Sequence, residues 1–260
     1  MITDITPVIL TYDEEPNIAR ALERLSWARD IVIVDSGSTD RTRAIAEAHP
    51  RVRFFERPFD DFASQWNYAL TGTGIRSAWV LALDADYILS QELIDELVGL
   101  SPAPEVCGYR ASFVYYIDGS ALRGSLYPSS VVLFRRDRGR YEMDGHAYRL
   151  RLEGEVGRLK GTIGHDDRKP ASRWKRSQWA YARQEALKLS RARWAELSWA
   201  DRLRLVPFAS VPAVTIYCGV IKGLFFQGRA GRIYSGQRIY AEVVLGVCRC
   251  LRLIGRGEGP

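Results

Sequence analysis

Three short polar clusters in this chain each follow an apolar run. Thr11-Tyr12-Asp13-Glu14-Glu15 follows ITPVIL, Asp35-Ser36-Gly37-Ser38-Thr39-Asp40 follows IVIV, and Asp84-Ala85-Asp86 follows LAL. Two carboxylates flanking one residue can hold a hard divalent cation together with a diphosphate bridged to it. Standing alone, such a triplet is more often a solvated turn carrying two acids. Three polar clusters at successive strand ends weigh towards a ligand site, because open α/β sheets bind ligands beyond the carboxyl ends of their strands. Gly37 belongs to no GxGxxG element and no GxxxxGK loop occurs, which excludes the dinucleotide fingerprint and the P-loop. Further along, Asp144 and His146 share a short polar stretch, and His165 precedes Asp166 and Asp167. His49, beside Pro50, reads as a structural residue at a helix end.

The elements that must carry these clusters alternate along the chain. Apolar runs over 5–10, 31–34, 52–55 and 78–83 read as strands, and helical spacing predicts helices over 18–25, 42–48, 62–70 and 91–100. The β-branched run Ile31-Val32-Ile33-Val34 suits a buried parallel strand. Ser90 opens the last of these helices, and Glu92, Asp95 and Glu96 lie in its first half, where negative charge suits the helix dipole. Alternation of this kind predicts an α/β fold with a mostly parallel central sheet. After Pro102 the pattern changes to short strands over 107–117, 131–134 and 148–152, a mixed or antiparallel extension. A long helix or helical pair over 172–199, a charge-free run over 205–221 and a helix over 233–254 form a C-terminal helical region. The expected division is an α/β domain over 1–170 and a helical region over 171–260.

The 260 residues are 47% hydrophobic and 26% charged, the balance of an ordinary globular chain. Four cysteines exclude a disulfide-dense scaffold, and their spacing is not that of a closed zinc site, so a reducing compartment is the simplest expectation. No secretory leader is expected from the opening residues. Charge is uneven: 171–260 holds 16 Lys and Arg against 5 Asp and Glu, a net of +11, and since the whole chain is +6, residues 1–170 carry −5. A basic region of this kind can meet nucleic acid, an anionic membrane or a phosphorylated substrate.

TYDEEPNIARAL, IVIVDSGSTDRT and LALDAD resemble the three N-terminal blocks of inverting family-2 glycosyltransferases. FDDFASQWNYAL, GRLKGTIGHDDRK and KGLFFQGRAGRIYSGQRIYAE are similar to blocks of the branch that adds glucose or a similar sugar to the inner core of bacterial lipopolysaccharide. The resemblance implies the GT-A nucleotide-diphospho-sugar transferase fold, with a catalytic domain over 1–170. It also implies a nucleotide-sugar donor, a bound Mg²⁺ or Mn²⁺, and direct displacement at the anomeric carbon. Carried over by position, it places Thr11 and Glu15 in the nucleoside pocket, with Asp35 accepting a hydrogen bond from the base, usually uracil. Asp84 would lie near the ribose and the metal, Asp86 would ligate the metal, and Asn67 would shape the donor pocket. His165 would contact the metal or the diphosphate.

There are departures from the family pattern. Asp13 replaces a more frequent asparagine, Ser36 replaces a second aspartate, and Tyr87 follows DAD where many members have glutamate. Ala147 stands where a glutamate commonly follows a histidine. Inverting transfer needs a group that takes the acceptor hydroxyl proton. Asp144 is the first substitute for that glutamate, with Asp166 and Asp167 as alternatives.

In the C-terminal region Trp174, Trp179, Trp194 and Trp199 lie among Arg and Lys residues. Basic and aromatic interleaving can stack bases, but no nucleic-acid recognition module accompanies it and the 205–221 run is too apolar for that use. Interfacial helices use the same residues at lipid headgroups. At 17 residues with Pro207 and Pro212 inside it, the run is short for a straight span. The expected partner is therefore an anionic membrane surface on the cytoplasmic face, without nucleic acid. The bland alternative is that these helices cover the sheet or form a dimer contact. The leading expectation is transfer of a hexose, glucose from UDP-glucose, to a lipid-linked saccharide such as the lipopolysaccharide core. A capsular or polyprenyl-linked acceptor, or a non-catalytic nucleotide-sugar or glycan-binding protein, are the alternatives.

Overall fold

Every residue of β1 (Ile5–Thr11) but Leu10 is buried, and its sequence, apolar on both faces, suits a strand enclosed within a sheet. The computed structural model describes residues 5–144 and 147–255. The side chains of Asp144 and Ala147 lie outside the described residues, as do Gly145 and His146. The chain divides into two units, Met1–Tyr116 with Tyr127–Arg168, and Ile117–Leu126 with Lys169–Pro260.

In the first unit α1 (Ile18–Glu23) leads from β1 to β2 (Ile31–Asp35), and α2 (Thr42–Glu47) leads on to β3 (Val52–Glu56). Next come α3 (Phe62–Gly72), β4 (Trp79–Asp84), the three-residue β5 (Tyr87–Leu89), α4 (Gln91–Gly99) and β6 (Val106–Ile117). A two-residue strand, β7 (Ser120–Ala121), falls in the stretch belonging to the second unit. It is followed by β8 (Ser130–Arg135), β9 (Gly139–Asp144), β10 (Ala147–Leu152) and β11 (Glu155–His165). The main sheet runs in the order β3-β2-β1-β4-β8-β6-β11-β5, and β9 and β10 form a separate two-stranded ribbon. β3, β2, β1 and β4 are mutually parallel, whereas β8 joins β4 and β6 in antiparallel fashion. The expected parallel core with a mixed extension is what forms.

Alternate residues of the parallel strands enter opposite cores, as strand geometry requires. Ile9, Ile31, Ile33, Leu81 and Leu83 pack with Ile18 and Leu22 of α1 and Leu93 and Leu97 of α4. Val8, Val32, Val34 and Val80 pack on the other face with Trp66 and Leu70 of α3 and Tyr141 of β9.

Four strands lie where the sequence reading placed none: β5, the two-residue β7, β9 and β11. β11 carries Gly157, Gly161 and Gly164, which erase its apolar alternation. Gly161 is needed there, because a Cβ would stand 2.4 Å from the Leu93 backbone of α4. The Glu96 carboxylate of α4 accepts the N–H groups of Lys160 and Gly161, fixing the strand at that contact.

In the second unit α5 (Ala171–Arg191) ends where Ala192 turns extended. A tight turn over Trp194–Glu196 follows, and Ser198 caps α6 (Trp199–Arg204) by accepting the N–H of Asp201. The region expected to be one helix or a pair is thus a helix, a turn and a second helix start. α7 (Ser210–Ile216) precedes α8 (Gly228–Leu253). α8 begins five residues before the expected start at 233. Gly231, a poor helix former by sequence, lies where a Cβ would come within 2.0 Å of the Leu224 carbonyl oxygen. Among the described residues no helix is long and apolar enough to cross a membrane.

Glu242, a buried residue of α8, accepts hydrogen bonds from the Arg204 guanidinium and, at 2.7 Å, from Ser210 Oγ. Burial alone would raise its carboxyl, but the bonds and charge of Arg204, with the Ser210 bond and the charge of Arg238, together outweigh burial and hold it below the ordinary range. Glu242→Ala is expected to destabilise the chain by about 3–5 kcal/mol in urea unfolding, the usual loss when one partner of a buried pair is removed. Because the folded value is depressed, the stabilisation is full above the ordinary glutamate range and is lost as pH falls through the folded value. The gap between wild type and variant should therefore narrow in acid.

Candidate active site

The parallel register sets Thr11 opposite Asp35 and Leu10 opposite Asp84. The turns that follow β1, β2 and β4 consequently leave the same edge of the sheet side by side. Asp35 is buried, and its carboxylate organises the second turn. Oδ1 accepts the N–H groups of Gly37 and Ser38 at 2.9 and 2.7 Å, while Oδ2 accepts the hydroxyls of Thr11 and Ser38 at 2.7 and 2.6 Å. Gly37 makes this turn at φ 86°, a conformation open to glycine at little cost.

The first two turns are also laced together. Asp13 Oδ1 accepts the N–H of Thr39, and the Asp13 N–H donates to Ser38 Oγ. Glu15 Oε2 accepts the Arg41 N–H, and the Glu15 N–H donates to Asp40. Asp13 sits at φ 49°, which Asn and Asp tolerate best of the residues with a Cβ, so aspartate in place of asparagine keeps the backbone shape. Ser36 accepts a bond from Gln65, whose side chain also meets Arg57.

The third turn meets the end of β11. β5 pairs antiparallel with β11, setting Tyr87 opposite His165, and the Asp166 N–H donates to the Asp86 carbonyl at 3.0 Å. His165 Nε2 then lies 3.6 Å from Asp86 Oδ2. The imidazole stacks on Tyr115 with centroids 4.6 Å apart and planes at 17°, and Tyr127 and Tyr87 complete an aromatic surround at 4.7 and 5.7 Å. Tyr87 is therefore part of the site's wall, its hydroxyl bonded to that of Tyr127. Burial, and after it the charge of Asp84, raises the hydroxyls of Tyr87, Tyr127, Tyr141 and Tyr148. This aromatic surround carries no signal in the sequence, since its three members come from separate stretches.

The other expected site residues have defined places. Asn67 pairs its amide with both backbone groups of Tyr141, at 2.9 and 3.0 Å, joining α3 to the β9–β10 ribbon. Asp166 is buried, and its Oδ2 accepts from Arg20 at 2.7 Å and Arg168 at 2.8 Å. Asp167 Oδ1 accepts from Asn17 at 2.9 Å. Asp144 ends β9 opposite Ala147 of β10, and its side chain, like His146, lies outside the described residues.

Residues 6–153 match the family model described as Glycosyl transferase family 2. The chain belongs to that family. A curated relative of this family-2 chain is the lipopolysaccharide core biosynthesis glycosyltransferase LpsC of Rhizobium meliloti (strain 1021), 30% identical over 172 residues, 62% of each protein's length. An uncharacterized glycosyltransferase of Rickettsia bellii is 35% identical over 94 residues, which cover 36% of this chain and 31% of that protein. The chain thus spans less than two thirds of the length of either relative. Among solved structures, S. aureus TarS 1-349 superimposes with a TM-score of 0.50 at 12% identity, covering 97% of this chain and 92% of that one, a likeness of fold. The family-2 chain has the GT-A architecture that its N-terminal blocks imply.

Each bond to the Asp35 carboxylate is charge-assisted, a class worth about 1.5–3 kcal/mol. Asp35→Asn keeps the size of the side chain but removes the charge that strengthens all four bonds and replaces the oxygen that accepts two hydroxyls with an NH2 group. It is expected to lower stability by about 2–3 kcal/mol in chemical denaturation, and to speed amide exchange at Gly37 and Ser38. Unchanged exchange in a folded variant would remove Asp35 from this role.

Proposed function

We propose that this family-2 chain transfers a hexose, glucose from UDP-glucose, with inversion to a lipid-linked saccharide of the lipopolysaccharide-core type. The observation that carries this reading is the common sheet edge from which the Thr11, Asp35 and Asp84–Asp86 turns emerge, with His165 drawn to Asp86. The laced first and second turns suit a nucleoside, with Thr11, Glu15 and Asp35 around it and Asn67 holding the adjoining ribbon. Asp84, Asp86 and His165 would hold Mg²⁺ or Mn²⁺. Among the described residues no three His, Cys, Asp or Glu side chains already form a cation site. Two carboxylates and an imidazole nonetheless suit a hard cation that takes its remaining ligands from phosphate oxygens and water. Such a cation offsets the charge of the departing diphosphate.

Asp144 is the proposed proton acceptor. Asp166 and Asp167 suit that task less, since one is shared by two guanidinium groups and the other accepts the Asn17 amide. LpsC, named for lipopolysaccharide core biosynthesis, supports the acceptor class.

The second unit supports a membrane-held acceptor and a peripheral seat on the cytoplasmic face. Ile221 and Phe226 are 67% and 82% exposed close to Lys222 and Arg229 in sequence, a pairing of apolar tips and cations that fits anionic lipid headgroups.

Incubation with UDP-glucose and a lipid-linked core saccharide, followed by product analysis, tests the whole reading. Asp86→Ala and excess EDTA should each abolish transfer while the chain stays folded. Asp144→Asn should bind UDP normally and lose transfer by about 10² to 10⁴. Full activity in EDTA would refute the metal assignment. In flotation, wild type should rise with anionic liposomes and an Ile221→Ser, Phe226→Ser double variant should remain below. A wild-type chain that also remains below makes these helices packing elements.

A further inference from the structure

Asn17 is a fully buried amide with every hydrogen-bonding position filled. Its Nδ2 donates to Glu14 Oε2 and to Asp167 Oδ1, both at 2.9 Å. Its Oδ1 accepts from Arg20 Nη2 and from the Arg168 N–H, again both at 2.9 Å. An amide offers two donors and two acceptor lone pairs, so no other side chain of this size can replace all four bonds. One turn along α1, Arg20 reaches the same loop. Its Nη1 donates to Asp166 Oδ2 and its Nη2 to the Asp166 carbonyl, both at 2.7 Å and across 146 residues of sequence.

Four of these six bonds reach residues 166–168, directly after His165. The Asp166 N–H of that loop also donates to the Asp86 carbonyl, the contact that sets the imidazole beside the acidic turn. α1 itself starts at the end of the Thr11–Glu15 loop, and Glu14 is bonded both to Asn17 and, through its N–H, to Thr42 at 2.6 Å. The same two side chains therefore join the first polar loop to the segment that presents His165.

We infer that Asn17 and Arg20 are positioning residues, which hold His165 in place against Asp86 and make diphosphate binding at the acidic turn depend on the first loop. They touch neither substrate nor cation. The inference rests on the reading of Asp84, Asp86 and His165 as the cation and diphosphate site. Arg20 provides the cleaner test because its side chain is 31% exposed, whereas truncating Asn17 opens the core. Lysine at position 20 keeps the charge but cannot make the forked contacts, so Arg20→Lys should fall between wild type and Arg20→Ala.

Two readouts on the full chain decide the matter. The first is UDP affinity by titration calorimetry with and without Mn²⁺. Wild type should gain affinity with Mn²⁺, and Arg20→Ala should lose about tenfold or more of that gain, the scale for groups that orient a ligand side chain. Its metal-free UDP affinity should match wild type, and Arg20→Lys should recover part of the gain. The second is the His165 ring-proton resonance, assigned among only three histidines by comparison with His165→Gln. Stacking on Tyr115 should shift it upfield in wild type, and Arg20→Ala should move it towards the free value without UDP or metal present. A folded Arg20→Ala with wild-type Mn²⁺-dependent affinity or an unmoved His165 resonance would overturn the inference. If wild type shows no Mn²⁺-dependent UDP binding, the donor-site reading fails, and the resonance alone still decides whether Arg20 positions the ring.

Discussion

The parallel register of β1 against β2 and β4 is the constraint on which the rest of the site depends. It makes Thr11 the neighbour of Asp35 and brings Asp84 beside Leu10. Because side chains alternate between faces, a slip of one residue in either ladder would turn buried valines and isoleucines to the wrong core. The two hydrophobic cores thus fix the polar turns, and those turns need only short bonds among themselves to keep their shape. Asp35 supplies four of those bonds, and Asp13 and Glu15 supply the lacing between loops. A rigid frame of this sort is what places acidic groups close together without waiting for a ligand to collect them.

The remaining half of the site comes from far along the chain. β11 lies parallel to β6 and antiparallel to β5, and it delivers His165 to a wall of Tyr87, Tyr115 and Tyr127. Aromatic walls and the Asn17–Arg20 clamp restrict the imidazole from different sides. The arrangement joins the start of α1 to residues that face the acidic turn.

Much of this was legible in the sequence, for identifiable reasons. The parallel strands are continuous apolar runs, and the helices between them keep regular spacing, so the elements of 5–100 other than β5 read correctly in order and type. The polar turns were legible because each occupies consecutive residues. Other parts lacked a local signal. β5 is too short to show a period, β9 is a polar ribbon strand, and β11 hides its pattern behind three glycines, of which Gly161 is demanded by the closeness of α4. Asn17 and Arg20 stood in view within a family block, but their partners at 166–168 are known only from the fold. Tyr87 read as a departure beside the metal pair, and its meaning comes from Tyr127 and His165.

The place of β11 in the sheet also sets an order of assembly. It lies between β6 and β5, two strands made earlier, so β5 cannot acquire its ladder until residues 155–165 have been synthesised. Until then β6 keeps an unpaired edge. Such long-range pairing is slow to form, and an open edge invites pairing with other chains. The placing of His165 and the closing of that edge consequently both wait on the same strand.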